Sequence, residues 1–357
     1  MKTAISGFLF VVLSSMLAAS QNYTVTDLGV LKGDNESSGF WINDSGTVVG
    51  CSDTETSEGY PCTGTVSGQH AFMWTKSGGM KDLGTLSGAT VSGAIGINSA
   101  GVVVGYSNVK GQPVTNFVAV QWSASGAMTN LGTLSGGSSS AAFEINSAGE
   151  IAGDSFMSSG IVDATSWTSS KIKSLGALPG AIFTAGLDIN EGGHVVGESV
   201  FSYGPPLTSH AFVWNGSAMK DLGTLPGGTS SIANSINSNG AIAGQSNGSS
   251  TGSSWHAVKW NTAHVIQDLG LLSRGTYSIA FAINDAGAIV GYANTYTNAP
   301  HAIMWTESEG MEDLNALIPA NSGWVLVNAN AINNVGQITG YGTKNGKNHG
   351  FLLTPTN

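Results

Sequence analysis

Carboxylates crowd into one stretch of the 357-residue chain, among them Glu144, Asp154, Asp163, Asp188 and Glu198. Two of them, Glu144 and Asp188, stand directly before the same Ile-Asn dipeptide. Paired carboxylates can act as acid and nucleophile, or acid and base, on a glycosidic bond, and their separation decides which. They can also ligate Ca²⁺. A sequence supplies no separation, so a carbohydrate-active hydrolase or lyase using Glu144 and Asp188 is the second reading here. No catalytic residue is assigned. The histidines argue differently. Five of the seven recur at one repeated position: His70, His210, His256, His301 and His349. A reacting group is needed once, whereas a group set around a repeat is architectural. Four of these are followed by an Asp, pairing His70 with Asp82, His210 with Asp221, His256 with Asp268 and His301 with Asp313. The two repeats without His also lack the Asp, having Val118 with Asn130 and Asp163 with Ser174. Paired variation suggests contact, and we read each pair as a structural strand-to-strand hydrogen bond. His349 has no Asp after it, but Asp27 near the N-terminus matches it if the chain ends meet. His194 and His264 are isolated, so no metal site is expected. Neither G-x-x-x-x-G-K-[ST] nor G-x-S-x-G occurs, and no cofactor is expected.

What positions these residues is an internal repeat. I-N-x-x-G-x-[IV]-x-G occurs seven times, with its Asn at 43, 98, 146, 190, 237, 284 and 333. An H-A-F-x-W pattern follows each copy, as in HAFMW from His70 and HAFVW from His210. A D-L-G-T-L pattern comes next, from Asp82, Asp221 or Asp268. The alternating run before Ile-Asn reads as strand A, and Asn-x-x-Gly as a type I turn. The run after it is strand B, H-A-F-x-W is strand C, and D-L-G ends strand D. One unit of about 48 residues is thus a four-stranded antiparallel meander, the size of a propeller blade. Such a unit buries its faces only by stacking on neighbours. The Trp at the end of strand C, as in Trp74, Trp122 and Trp260, belongs between adjacent sheets. The N-terminus carries a strand D without its partners, Tyr23 to Leu31. The C-terminus carries strands A, B and C without D. An open stack would leave both ends as bare edges. The expected fold is therefore all-β, a seven-bladed β-propeller closed by the N-terminal strand joining the C-terminal blade.

H-A-F-x-W followed by D-L-G-T-L and I-N-x-x-G resembles the bacterial extracellular family called HAF repeats. The likeness spans nearly the whole chain after its first twenty residues. It implies an exported, propeller-like repeat protein and carries no catalytic residues with it. Val118 and Asp163 depart from the pattern by replacing His, which favours a structural role for that position.

Met1 to Ser20 has Lys2, an apolar run, and small residues at Ala18 and Ser20, which reads as a secretory signal cleaved near Ser20. Residues 21–357 then form one domain, secreted or periplasmic. In an exported chain the only cysteines, Cys51 and Cys62, favour a local disulfide. With 12 basic against 22 acidic residues, the surface lacks the clustered cations that nucleic acid or an anionic membrane needs. No segment after the signal is apolar enough to span a membrane. A monomer is expected.

Loop lengths point to a binding face. The A–B turn keeps one length, while the B–C connection varies from 9 to 20 residues. In a propeller the B–C and D–A connections share a face, and variable loops concentrate binding there. The aromatics available are Tyr60, Phe156, Phe201, Tyr203, Trp255 and Tyr296, with Trp324 on a D–A connection. The leading reading is a secreted binding scaffold for a protein partner or a surface glycan.

Overall fold

A computed structural model describes residues 22–54, 62, 68–113, 116–169, 171–204, 207–248 and 254–356. The leader segment and Tyr60 lie outside these residues. The first repeat shows the local logic. Strands Glu36–Ile42, Val48–Asp53, His70–Thr75 and Gly79–Asp82 pair antiparallel in chain order. Asn43 makes the first turn. Its carbonyl accepts the Gly46 N–H at 2.9 Å. Its side-chain Oδ1 accepts the N–H groups of Ser45 and Thr47. Gly46 has φ +78°, where a side chain would be strained. On strand B, a Cβ at Gly50 would lie 1.9 Å from the Ser38 carbonyl oxygen, so only glycine lets the two strands approach.

The fold is an all-β propeller of four-stranded antiparallel blades. Five four-stranded sheets stand separately, and the third and fourth repeats share one eight-stranded sheet. The expectation of seven separate four-stranded blades is corrected in that respect. The join is a single parallel pair, Val162 with Phe183. A local difference accompanies it. In five sheet-to-sheet junctions a Ser on strand A accepts an N–H from strand C of the preceding repeat and donates to its D-L-G carbonyl. Ser92 does this to Ala71 and Gly84, and Ser231 to Ala211 and Gly223. Thr184 stands at that position in the fourth repeat, and its hydroxyl bonds Ser199 instead.

The chain ends meet. Strand Tyr23–Gly29 pairs antiparallel with Lys347–Pro355, Val25 opposite Leu353 and Asp27 opposite Phe351. Strands Ile338–Lys344 and Trp324–Ile332 complete that sheet. The orphan D strand thus removes two free edges at once.

The core lies between sheets. Trp122 packs with Val49 and Ala71 of the preceding repeat, and Trp260 with Val196 and Ala211. Their indole N–H groups donate to Leu83 O at 2.9 Å and Leu222 O at 3.1 Å, both in the preceding repeat. Cys51 and Cys62 are joined by a disulfide, which ties the long first B–C connection to strand B.

Candidate functional site

Strand-A ends converge on the axis. Each repeat's Asn donates its side-chain N–H to the backbone carbonyl of the next Asn. Asn43 reaches Asn98, Asn98 reaches Asn146 and Asn146 reaches Asn190. Asn190 reaches Asn237, Asn237 reaches Asn284 and Asn284 reaches Asn333. Asn333 then reaches Asn43, closing the circle. Every bond is 3.0–3.2 Å. Sequence reading assigned this Asn only a turn; its second amide function emerges when the repeats are set around an axis.

The circle frames a pocket of about 170 Å³ at the axial mouth. Glu144 and Asp188 both line it, so the two carboxylates singled out by their spacing share one channel. Asp188 Oδ2 accepts Ile236 N–H at 2.8 Å, and Oδ1 accepts its neighbour Ile189 N–H at 2.7 Å. Burial nevertheless pushes its carboxyl up to about 7. Glu144 is held well above the carboxylate range by burial first and by the Asp188 charge second. It accepts backbone N–H groups from Ile145 and Ile97. Its Oε2 is buried without a hydrogen-bond partner. The other three carboxylates do not join them. Asp154 and Glu198 sit on strand B, where Tyr106 and Tyr292 stand in other repeats. Burial raises Asp154 to about 7 and raises Glu198 too. Asp163 accepts the Ser174 hydroxyl at 2.7 Å. Of the two repeats that lack the His–Asp pair, the third has therefore exchanged it for another bonded pair.

The histidine pairs are all in contact. His Nδ1 meets the Asp carboxylate at 2.9 Å for His70/Asp82, 2.7 Å for His210/Asp221, 2.9 Å for His256/Asp268 and 2.7 Å for His301/Asp313. His349 meets Asp27 at 2.9 Å across the closure, and Lys344 Nζ joins at 3.0 Å. Each pair links strand C to strand D at a half-exposed position. Burial tends to raise Asp27, but the Gly29 N–H, Lys344 and His349 outweigh it and leave the carboxyl lowered.

The candidate aromatics of the B–C face divide. Phe156, Tyr203 and Tyr296 are exposed, at 41%, 66% and 74%. Phe201 and Trp255 are half-buried, and the Phe201 ring packs edge-on to His210. Trp324 is a core residue, set against Phe351 and beneath Lys344. It opens strand Trp324–Ile332, where a D–A connection was expected, and its ring is buried. Three aliphatic residues were missed: Ile161, Ile182 and Leu207 are also exposed. The ladder shows the adjacency. Phe156 pairs with Val162, Val162 with Phe183, Phe183 with Val200, and Ser202 with Thr208. Five apolar side chains thus flank successive strands along one rim of the eight-stranded sheet, spanning roughly 20 Å at ordinary strand spacing. Only the join between repeats three and four brings them together. Among the described residues no group of three or more His, Cys, Asp or Glu could hold a metal ion. No helix among them is long and apolar enough to cross a membrane.

A ring of antiparallel sheets with an axial pocket and a loop-bearing rim defines the class, a β-propeller. Two solved structures share that fold. A puromycin hydrolase matches with TM-score 0.53 and 10% identity, over 87% of this chain and 50% of its own. An acylaminoacyl peptidase from Pyrococcus horikoshii matches with TM-score 0.53 and 8% identity, over 90% of this chain and 53% of its own. The chain spans about half the length of either. At such identity the likeness is one of fold alone. No protein-family model matches the chain, and no curated protein matches it in sequence.

Proposed function

We infer that this is an exported HAF-repeat protein acting as an interaction scaffold, which captures a protein partner on its B–C face. The observation that carries the reading is the rim formed by Phe156, Ile161, Ile182, Tyr203 and Leu207. Contiguous exposed apolar residues mark interaction sites, whereas singly scattered ones do not. Three of the five are aliphatic. Sugars stack on aromatic faces, while mixed aliphatic and aromatic rims suit protein side chains. We read the shared sheet of repeats three and four as two blades joined by a single parallel pair, a sevenfold reading that the seven Asn bonds support. The leader-like first twenty residues and the Cys51–Cys62 bond support export.

A second reading, a carbohydrate-active hydrolase or lyase, rests on Glu144 and Asp188 sharing the axial channel. Both spend oxygens on backbone N–H groups of the strands around them, which is a structural task, so the binding reading is preferred. Its test is a pull-down from culture supernatant with the mature chain, run beside a glycan array and a polysaccharide-hydrolysis assay. Tyr203→Ser with Leu207→Ser should lose a captured protein at least tenfold. Surface changes of this kind usually alter stability by no more than about 0.5 kcal/mol, so the melting point should hold. Capture unchanged by the double variant, or a signal only on glycans or only in hydrolysis, would displace the protein-scaffold reading.

A further inference from the structure

A second axial feature takes no part in scaffolding through the rim. Each strand A carries a one-residue bulge two places before its Ile-Asn, as at Phe40 between Gly39 and Trp41 and at Phe281 between Ala280 and Ala282. A bulge re-aims its extra residue. Here six of the bulged residues, Phe40, Ile95, Leu187, Asn234, Phe281 and Asn330, wall an axial cavity of about 240 Å³ together with Trp41. Strand A runs from the D–A connection to the A–B turn, so this cavity lies on the B–C side of the Asn circle. The six residues are half-buried, whereas the Ile and Asn that follow each of them are buried. The Asn of the circle is the same in all seven repeats because it holds the wheel. A bulged residue that only held the wheel would be uniform in the same way, yet four of the six are apolar and two are amides.

The wall is chemically specific. No charged residue is among the described residues that line it. Phe40, Trp41 and Phe281 bring three rings. Phe281 is held by Tyr292, stacked on it at 5.6 Å between centroids, and Tyr277 meets Tyr292 edge-on at 5.8 Å. A ring fixed in this way is a preformed stacking surface. The two amides are fixed as well. Asn234 Nδ2 donates to Ala280 O at 2.7 Å and Asn330 Nδ2 to Gly39 O at 2.8 Å, each in the next repeat around the axis. That orientation leaves Oδ1 of each as the open polar atom on the wall. Neither Oδ1 accepts a hydrogen bond among the described residues, and neither is sealed from solvent. A mostly apolar cavity with a few placed polar groups is the common form of a small-molecule site, and this volume is below the ~300–1,000 Å³ that drug-sized ligands occupy, so it suits one ring system. A sugar would set hydroxyls against the apolar walls with two acceptors to share, at a cost for each one left unpaired. A charged ligand would find no opposite charge.

We propose that this axial well binds a neutral aromatic ring bearing a hydrogen-bond donor, the ring set among Phe40, Trp41 and Phe281 and the donor given to Oδ1 of Asn234 or Asn330. Two sources share this chemistry, a free small molecule and a tryptophan side chain of another protein. The well and the rim of Phe156 and Tyr203 are built from different residues, so either can fail without the other.

The test titrates the mature chain with indole, followed by calorimetry and saturation-transfer NMR. Parallel arms use benzofuran, which has an ether oxygen where indole has its N–H, cyclohexanol, which has a donor and no aromatic ring, and Nα-acetyl-tryptophanamide. Saturable indole binding is expected, with no response to cyclohexanol. Benzofuran should bind about tenfold more weakly, because it turns an acceptor instead of a donor toward Oδ1. Binding of the tryptophan derivative as well assigns a protein side chain, and its failure beside indole assigns a free molecule. Asn234→Leu with Asn330→Leu should bring indole and benzofuran to equal affinity, a change of ratio that loss of structure alone would not produce. Ile95→Trp, which fills the well and spares both amides, should abolish binding of both probes with the melting point kept, and serves if the amide variant does not fold. Tyr203→Ser with Leu207→Ser should bind indole as the wild type does. No saturation by indole, equal wild-type binding of indole and benzofuran or of indole and cyclohexanol, indole binding unchanged by Ile95→Trp, or its loss in the rim variant would each overturn the proposal.

Discussion

Replacing Asp188 with Asn should change how stability depends on pH. Asp188 is 3% exposed, and burial raises its carboxyl from 3.8 to about 7. Between about pH 4 and about pH 7 the folded chain keeps a proton there that the unfolded chain has released. Stability must then fall as pH rises through that window, and the loss is complete once the folded carboxyl ionises. A rise of this size corresponds to roughly 4 kcal/mol, at about 1.4 kcal/mol per pKa unit. Asn cannot titrate. It also removes the charge that helps raise Glu144, so both effects act in one direction. Near pH 4 the two proteins should be alike, because a protonated Asp and an Asn each offer one good acceptor to the N–H groups of Ile189 and Ile236. Near pH 7 the variant should be the more stable by an amount approaching 4 kcal/mol, less whatever relaxation and water entry recover. Urea titrations followed by tryptophan fluorescence at four pH values would measure the difference. A gap that does not change with pH, or a wild type that gains on the variant as pH rises, would refute the reasoning.

Two further outcomes are expected. Asp27 is lowered in the folded state, so its contribution is present above about 3.8 and is lost as pH falls through its folded value. Asp27→Asn should weaken the seam at neutral pH by about 1–3 kcal/mol, the usual worth of hydrogen bonds to a charged group, and size-exclusion with light scattering should show more association from the loosened edge. Trp122→Phe keeps an aromatic ring between the first two sheets but leaves the Leu83 carbonyl unpaired. It should cost about 1–3 kcal/mol in a denaturant titration.

Much of the architecture was legible because repetition multiplies weak signals. One Asn-x-x-Gly is an ordinary turn, whereas seven at a near-constant spacing describe a unit. The His and Asp pairs could be read because they vary together from repeat to repeat, and the diagonal of an antiparallel pair puts them within reach. The missing D strand at one end and the spare one at the other pointed to Tyr23–Gly29 lying against Lys347–Pro355, since bare edges are costly.

Other features belong to the tertiary structure because they depend on which repeats become neighbours and at what distance. Glu144 and Asp188 were recognisable as equivalent positions, but only their placement around an axis made them share a pocket and raised their carboxyls. The closed ring of Asn amides needs a fixed step between sheets, which no single repeat encodes. Ile161, Ile182 and Leu207 look like unremarkable loop residues in the chain. They form a rim with Phe156 and Tyr203 only because Val162 pairs with Phe183, whereas Trp324, aromatic like the latter two, opens a strand and is buried. Local patterning selects strands and turns through side-chain period and backbone sterics; burial, field and surface contiguity arise from non-local packing and follow once the wheel is closed.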